Sequence, residues 1–336
     1  MRIGHVSMFA PNRCGLYEAS RDMARSDVLA GHEVVFVDVG VPNEESKSTS
    51  DHRGDFKLDL SHSDLLDTCD VILAHTGVPD LWLARNQVPV VWVMHGRPLA
   101  CFRPNDGNSF TLIHHLSKWT RVKKMIYFWE EFKPYWENII PSNKLALVDS
   151  PVGDEVRFKP DGDCYKEMRL EGFKNFLICD SIREDICIFD VINGCIHASK
   201  YMNDIKFHFC GVDEYHKDKY QLLFGKLQEL GSLGSLNARI TDMEKAYRAV
   251  DCCITPQKIA TRSVLEALMC GCGLISDIGN RYSDVQYDVT KHQELVTEIS
   301  KYLNHHPRNE IARTKFTTDK YNERMKIIYK EVLSDG

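Results

Sequence analysis

No run of the chain is long and apolar enough to span a membrane. The longest, such as residues 88–94 (VPVVWVM), stop far short of the roughly 20 residues a helical span needs. The opening MRIGHVSMFAPNRCG lacks a basic leader, a sustained apolar stretch and a small-residue cleavage site, so no signal peptide is expected and a cytoplasmic, soluble chain is. None of the twelve cysteines forms a C-x-x-C pair, and no histidines show zinc-finger spacing. They lie mostly in apolar runs such as FLICD and FHFCG, which reads as small buried hydrophobes in a reducing compartment. There is no G-x-G-x-x-G, which argues against an ordinary dinucleotide dehydrogenase. Internal repeats and low-complexity tracts are missing too. A net charge of −6 offers no general attraction for nucleic acid or an anionic membrane.

What is present is the profile of a globular α/β protein: 336 residues, 43% hydrophobic and 27% charged, enough for two domains. Short apolar runs alternate with amphipathic stretches. Residues 2–9, 33–39, 70–74 and 89–94 read as buried strands, and residues 17–30 as a helix. The polar tract 43–59 reads as a loop or insertion. The pattern restarts with strands at 144–149, 173–179, 205–210, 251–254 and 272–276, and ends in an amphipathic helix over 315–333. A Pro/Gly/Asp-rich junction at 151–163 separates the two halves. The expected fold is α/β: two doubly wound parallel-sheet (Rossmann-like) domains, 1–153 and 154–314, facing a cleft, with 315–336 packing back on the first. Residues 116–127 (LSKWTRVKKMIY) read as a modestly basic amphipathic helix carrying Trp119, Arg121, Lys123 and Lys124. A solvated face and a peripheral membrane contact both fit it.

Ligands of such sheets sit at the carboxyl ends of the strands. Four places there carry chemistry. Gly15 lies between the first strand and its helix, where backbone approaches a ligand and the helix start favours an anion, although a turn alone can require a glycine. His95 ends the run VWVMHGR. It suits either a cleft-facing polar group or a satisfied structural histidine; His75 has the same placement, and His32 reads as structural. Arg183, after FLICD, has the fork geometry for a diphosphate or for a surface ion pair with Glu184 or Asp185. The fourth place is ATRSVLEALMCGCGLIS. Its helix start offers N–H groups, Thr261 and Ser263 offer hydroxyls, and Glu266 is either a ribose-binding carboxylate or a helix-dipole partner.

Taken in order, PNRCGLYEASRDMARSDVLAGHEVVFV, VPVVWVMHG, SPVGDEVRFKP, TDMEKAYRAVDCCITPQ and TRSVLEALMCGCGLIS resemble the GT-B glycosyltransferases of the family-four type (glycosyl transferases group 1) over nearly the whole chain. The resemblance implies a retaining, metal-independent transferase that needs no cofactor. It moves a sugar from a UDP- or GDP-type nucleotide donor, bound by the second domain, to a hydroxyl of a glycan or other acceptor on the side of the first. It also implies roles. Glu266 matches the second glutamate of an E-x7-E motif that holds the donor ribose, and the first position falls at Lys258, expected to act as a phosphate cation. Arg183 contacts the diphosphate with help from Thr261, Arg262 and Ser263. Gly15 lies near the phosphate, His95 near the transferred sugar as the candidate catalytic side chain, and the backbone at Ile240 and Thr241 reads the base. Two rivals stand beside this reading: a nucleotide-sugar epimerase on the same architecture, and a non-catalytic nucleotide- or glycan-binding module.

Overall fold

The structure, a computed structural model, describes residues 1–7, 15–38, 50–51, 58–59, 63–75, 87–95, 107–152, 157–180, 188–238, 240–307 and 310–334. The chain divides into two compact units, Met1–Asp154 with Phe316–Gly336, and Glu155–Lys315.

The first unit is built on strands β1 (Arg2–Ser7), β2 (Glu33–Asp38), β5 (Val71–His75), β6 (Val90–Met94), β7 (Val122–Tyr127) and β8 (Leu145–Leu147). They form one sheet in the order β2-β1-β5-β6-β7-β8, and every pairing is parallel. Parallel strands are covered on both faces, which is why β5 and β6 read as unbroken apolar runs. Helix α1 (Gly15–Leu29) and the last helix, α11 (Thr318–Ser334), cover one face. Met23, Tyr321, Met325 and Val332 pack there against Ile3, Leu73 and Val93. Helix α2 (Gly107–Lys118) covers the other, with Leu116 against Val90, Trp92 and Met125. A two-residue antiparallel pair, β3 (Ser50–Asp51) with β4 (Leu58–Asp59), is the described part of the polar tract 43–59. Between β7 and β8 lies the short helix α3 (Lys133–Glu137).

One expectation is corrected here. Residues 116–127 do not form a helix: α2 stops at Lys118, and Val122–Tyr127 is the interior strand β7, paired with both β6 and β8. Spacing of Val122, Met125 and Ile126 fits a helix face as well as a strand, and burial between two strands decides it. Lys124 is spent on Glu331 of α11, at 2.7 Å, and on the Asn143 carbonyl, so the basic amphipathic face of the expected membrane contact does not form. Among the described residues no helix is long and apolar enough to cross a membrane.

The second unit repeats the plan. Strands β9 (Lys174–Ile178), β10 (Ile205–Cys210), β11 (Leu233–Asn237), β12 (Cys252–Thr255), β13 (Gly273–Asp277) and β14 (Val285–Tyr287) form a parallel sheet in the order β11-β10-β9-β12-β13-β14. On one face lie α4 (Ile188–Ser199), α6 (Gln221–Glu229) and α9 (Glu294–His305), which bury Val191, Cys195, Leu227, Leu295 and Ile299 against Phe176, Phe207 and Ile254. On the other, α7 (Met243–Ala249) and α8 (Arg262–Met269) pack on each other and on the central strands. Short helices α5 (Glu214–Lys219) and α10 (Glu310–Lys315) complete the unit.

Strand β11 (LGSLN) carries no apolar alternation, and the reason is local. A Cβ on Gly234 would come within 2.6 Å of the His208 ring on β10. That ring cannot move aside. Its Nδ1 accepts from the Ser235 N–H at 3.1 Å, and its Nε2 lies 3.2 Å from Asn175 Oδ1.

Cross-linking of layers follows the same close approach at Gly273. A Cβ there would sit 2.0 Å from the Tyr302 hydroxyl, which donates to the Asp251 carbonyl at 2.9 Å and ties α9 to the sheet. Gly273→Ala should therefore cost about 1–3 kcal/mol through overpacking. The measurement is a fall in the urea midpoint at constant m-value. An unchanged midpoint would mean that Tyr302 swings away without loss.

Candidate functional site

At the carboxyl ends of β9, β12 and β13 the second unit gathers polar side chains beneath its surface. Asp180, two residues past β9, is 4% exposed. A carboxylate removed from water needs donors in place of it. Thr255, the last residue of β12, donates its hydroxyl to Asp180 Oδ2 at 2.5 Å, and the Gln257 amide donates to Oδ1 at 3.1 Å. The Gln257 N–H in turn donates to Thr255 Oγ1. Asn280, beyond β13 and fully buried, donates to the carbonyls of Gln257 and Ile259. This lattice fixes the path of the chain from β12 to the start of α8.

Thr261 occupies the cap position of α8 with extended backbone, as threonine commonly does. Its hydroxyl caps no helix amide and instead meets the Ser263 side chain at 3.1 Å. The helix start therefore lacks the side-chain cap that Thr261 could give, the arrangement that suits an anionic ligand. Glu266, one turn on, is 8% exposed. Arg262 Nε donates to its Oε1 at 2.6 Å, and the Tyr247 hydroxyl of α7 lies 3.5 Å from Oε2. Burial first, then the Cys179 thiol and the Glu266 carboxyl, push the Tyr247 hydroxyl well above its ordinary range, so it remains a neutral donor. A cation in the first turn opposes the helix dipole; here Glu266 holds it.

The other expected donor-binding residues are scattered. Lys258 is largely exposed, with its Nζ 3.6 Å from Asp277 Oδ2, too long for a hydrogen bond. Ile240 and Thr241 precede α7 without regular structure, and Arg157 donates to the Thr241 carbonyl at 3.0 Å while pairing with Glu244 at 2.7 Å. Arg183 lies outside the described residues. The chain's Asp161-Gly162-Asp163 forms an exposed turn whose Asp163 carbonyl is held by Arg248, a residue of the groove at the opposite, amino ends of β9 and β12.

In the first unit, Gly15 is the first residue of α1. His95 directly follows β6, and His75 is the last residue of the neighbouring β5; their ring nitrogens are 2.7 Å apart. His5 and Asp27 stand behind them. The side chains that the sequence did not single out, Asp180, Thr255, Gln257, Asn280, Tyr247, His5 and Asp27, are single polar residues within or just after apolar runs. Tertiary packing brings Asp180, Thr255, Gln257 and Asn280 to one another in the second unit, and His5 and Asp27 to each other in the first. The one legible signal was the i,i+4 spacing of Arg262 and Glu266.

No protein-family model and no curated protein matches the sequence. Solved structures do match in shape. A glycosyltransferase from Rickettsia africae superposes with a TM-score of 0.71 at 14% identity, over 100% of this chain and 99% of that one. HepE of Anabaena, solved with UDP and glucose, gives 0.67 at 11% identity, over 98% and 99%. The pneumococcal O-GlcNAc transferase GtfA, solved with UDP and GlcNAc, gives 0.68 at 10% identity, over 99% of both chains. These neighbours are GT-B glycosyltransferases, and the chain has their fold: two parallel α/β sheets with flanking helices.

The buried rings make stability depend on pH. Burial drives His95 down to about 3 and His208 to about 4, and drives His75 well below the histidine range, with His95 and His5 beside it acting in the same direction. An unfolded chain takes up these protons near pH ~6.5, so as pH falls below that value the unfolded state binds more protons than the folded one. Their contribution is intact above about pH 6.5 and is lost progressively below it, by at most ~1.4 kcal/mol per pH unit for each ring. The urea midpoint should drop between about pH 7 and about pH 5, and His208→Gln should flatten part of that drop. A midpoint that is level over this range would contradict neutral buried rings.

Proposed function

We propose that the protein is a glycosyltransferase that takes its sugar from a nucleotide-diphosphate donor of UDP or GDP type and passes it to an acceptor hydroxyl. The observation that carries this reading is the layer at the carboxyl ends of β9, β12 and β13 on a GT-B fold: a helix start without a side-chain cap, preceded by a chain path locked through Asp180, Thr255, Gln257 and Asn280. Such a helix start receives phosphate oxygens. Glu266 lies one turn further on, where it accepts the hydroxyls of a ribose; an ionised carboxylate has about four acceptor positions, and Arg262 and the Tyr247 hydroxyl are two of the donors it meets. Arg262 and Lys258 then supply positive charge to the leaving diphosphate. In the reaction the bond from the anomeric carbon to the diphosphate oxygen breaks and its electron pair stays on the leaving diphosphate, the acceptor oxygen bonds to that carbon, and the acceptor proton passes to the departing diphosphate or to water. The complexes of HepE with UDP and glucose and of GtfA with UDP and GlcNAc support the donor class. Retention of configuration and independence of metal belong to the same proposal and rest on the resemblance of the sequence motifs.

Isothermal titration with UDP and GDP tests it. One nucleotide should bind, and Glu266→Ala should weaken that binding by at least about 1 kcal/mol, roughly fivefold. Unchanged affinity would remove Glu266 from the site. Incubation with the sugar nucleotide alone should release free nucleoside diphosphate slowly; an epimerised sugar nucleotide would instead favour the isomerase chemistry.

A further inference from the structure

His95 belongs to a chain of rings that crosses the first sheet. Phe36, His5, His75, His95 and Phe128 come from β2, β1, β5, the end of β6 and the end of β7, one ring from each of five neighbouring strands. Successive centroids are 6.3, 5.4, 5.0 and 5.1 Å apart. Alternation explains the common face: His5 follows Ile3 by two residues, and His75 and His95 follow Leu73 and Val93 by two, all on the side covered by α1 and α11.

Within this stack the three histidines are joined end to end. His5 Nε2 is 2.9 Å from Asp27 Oδ2, His5 Nδ1 is 3.1 Å from His75 Nε2, and His75 Nδ1 is 2.7 Å from His95 Nε2. The Tyr329 hydroxyl of α11 reaches the same Asp27 oxygen at 2.8 Å. His5, Asp27 and His75 are at most 1% exposed. An oxygen on which two partners converge acts as the acceptor for both, because the hydroxyl oxygen of a protonated acid is a poor one. His5 must then carry its proton on Nε2. With that single proton on the ring, Nδ1 is the acceptor, and the order that follows has His75 donating from Nε2 and accepting at Nδ1, and His95 donating from its own Nε2; a second proton on His5 would reverse it.

We propose that Asp27, His5 and His75 are positioning residues whose directional hydrogen bonds fix His95 as the Nε2–H tautomer, presenting its Nδ1 as an acceptor at the strand end. One buried carboxylate on α1 thus sets the proton position of a ring three steps away. The class of ligand rests on the proposed glycosyl transfer: a ring nitrogen fixed as an acceptor pairs with a hydroxyl hydrogen and not with a carbonyl or phosphate oxygen. Of the titratable groups packed against the relay, Asp27 comes from α1 and Tyr329 and Tyr321 from α11. Burial, with Asp27 beside them, pushes both tyrosines well above their ordinary range, so Asp27 has neutral hydroxyls rather than competing anions around it, and Tyr329 is the one that donates to it.

The test is nitrogen NMR of the full chain labelled at histidine, near neutral pH. His5, His75 and His95 should each show a pyrrole-type, protonated Nε2 and a pyridine-type, bare Nδ1. A protonated Nδ1 on any of the three, or a charged His95, would overturn the relay. A second variant, His75→Phe, keeps the ring stack but cuts the chain. In it His95 should change to a mixture of tautomers while His5, still anchored on Asp27, keeps its pattern; an unchanged His95 would show that something other than the relay fixes it. These readings do not depend on turnover. Tautomers as drawn, in a protein that releases no nucleotide from any UDP- or GDP-sugar, would leave the relay standing and refute the transfer.

Discussion

Asp180 is a carboxylate almost fully removed from water, and the surroundings of the proposed donor site follow from what that burial demands. An ion taken out of water costs several kcal/mol unless donors replace the solvent. Thr255 and Gln257 replace it here, and in doing so they fix the turn that leaves β12. Asn280 then pins the carbonyls of that turn from the next strand. The outcome is a helix start at Thr261 whose approach is rigid before any ligand arrives. Pre-set donors of this kind stabilise developing charge without reorganising for it.

The first unit obeys the same constraint with a different set of groups. Asp27 is a buried carboxylate of that unit, and one of its oxygens, Oδ2, takes hydrogen bonds from two directions, from His5 on β1 and from Tyr329 on α11. The final helix therefore does more than cover an apolar face. It brings a donor from the far end of the chain to the base of the histidine ladder. Because a histidine has only two ring nitrogens, each ring passes on the choice made by the one before it. Burial keeps the His75 and His95 rings neutral and so keeps that choice binding.

Much of the fold was legible. The strand runs at the starts of both halves, the helix after Gly15 and the last amphipathic helix all have a clear apolar period, and their bounds shift by three residues or fewer in the structure. Residues 122–127 were misread because a short apolar run has no period of its own until its neighbours are known. Strand β11 was invisible because close approach of His208 replaces a side chain by Gly234 and the two leucines, Leu233 and Leu236, stand three apart and not at strand spacing. For the site, Glu266, Arg262 and Thr261 were visible through a helix start with its spacing. Asp180, Thr255, Gln257 and Asn280 were not, since each is a lone polar residue whose partner is 75 or more positions away or sits across the sheet. His5 and Asp27 fall in the same class. Register, which places His5 beside Leu73 and His75 beside Val93, is a property of the pairing and not of any local pattern.

The central claim is that a nucleotide diphosphate binds at the carboxyl ends of β9, β12 and β13, on the start of α8. Hydrogen–deuterium exchange with and without UDP or GDP tests it most directly. Bound nucleotide should slow exchange at the amides of Arg262, Ser263 and Val264 and along the segment from Thr255 to Thr261, with the amino ends of the same strands unchanged. Saturating nucleotide that leaves those amides at their original rates, or that protects only the first unit, would contradict the account.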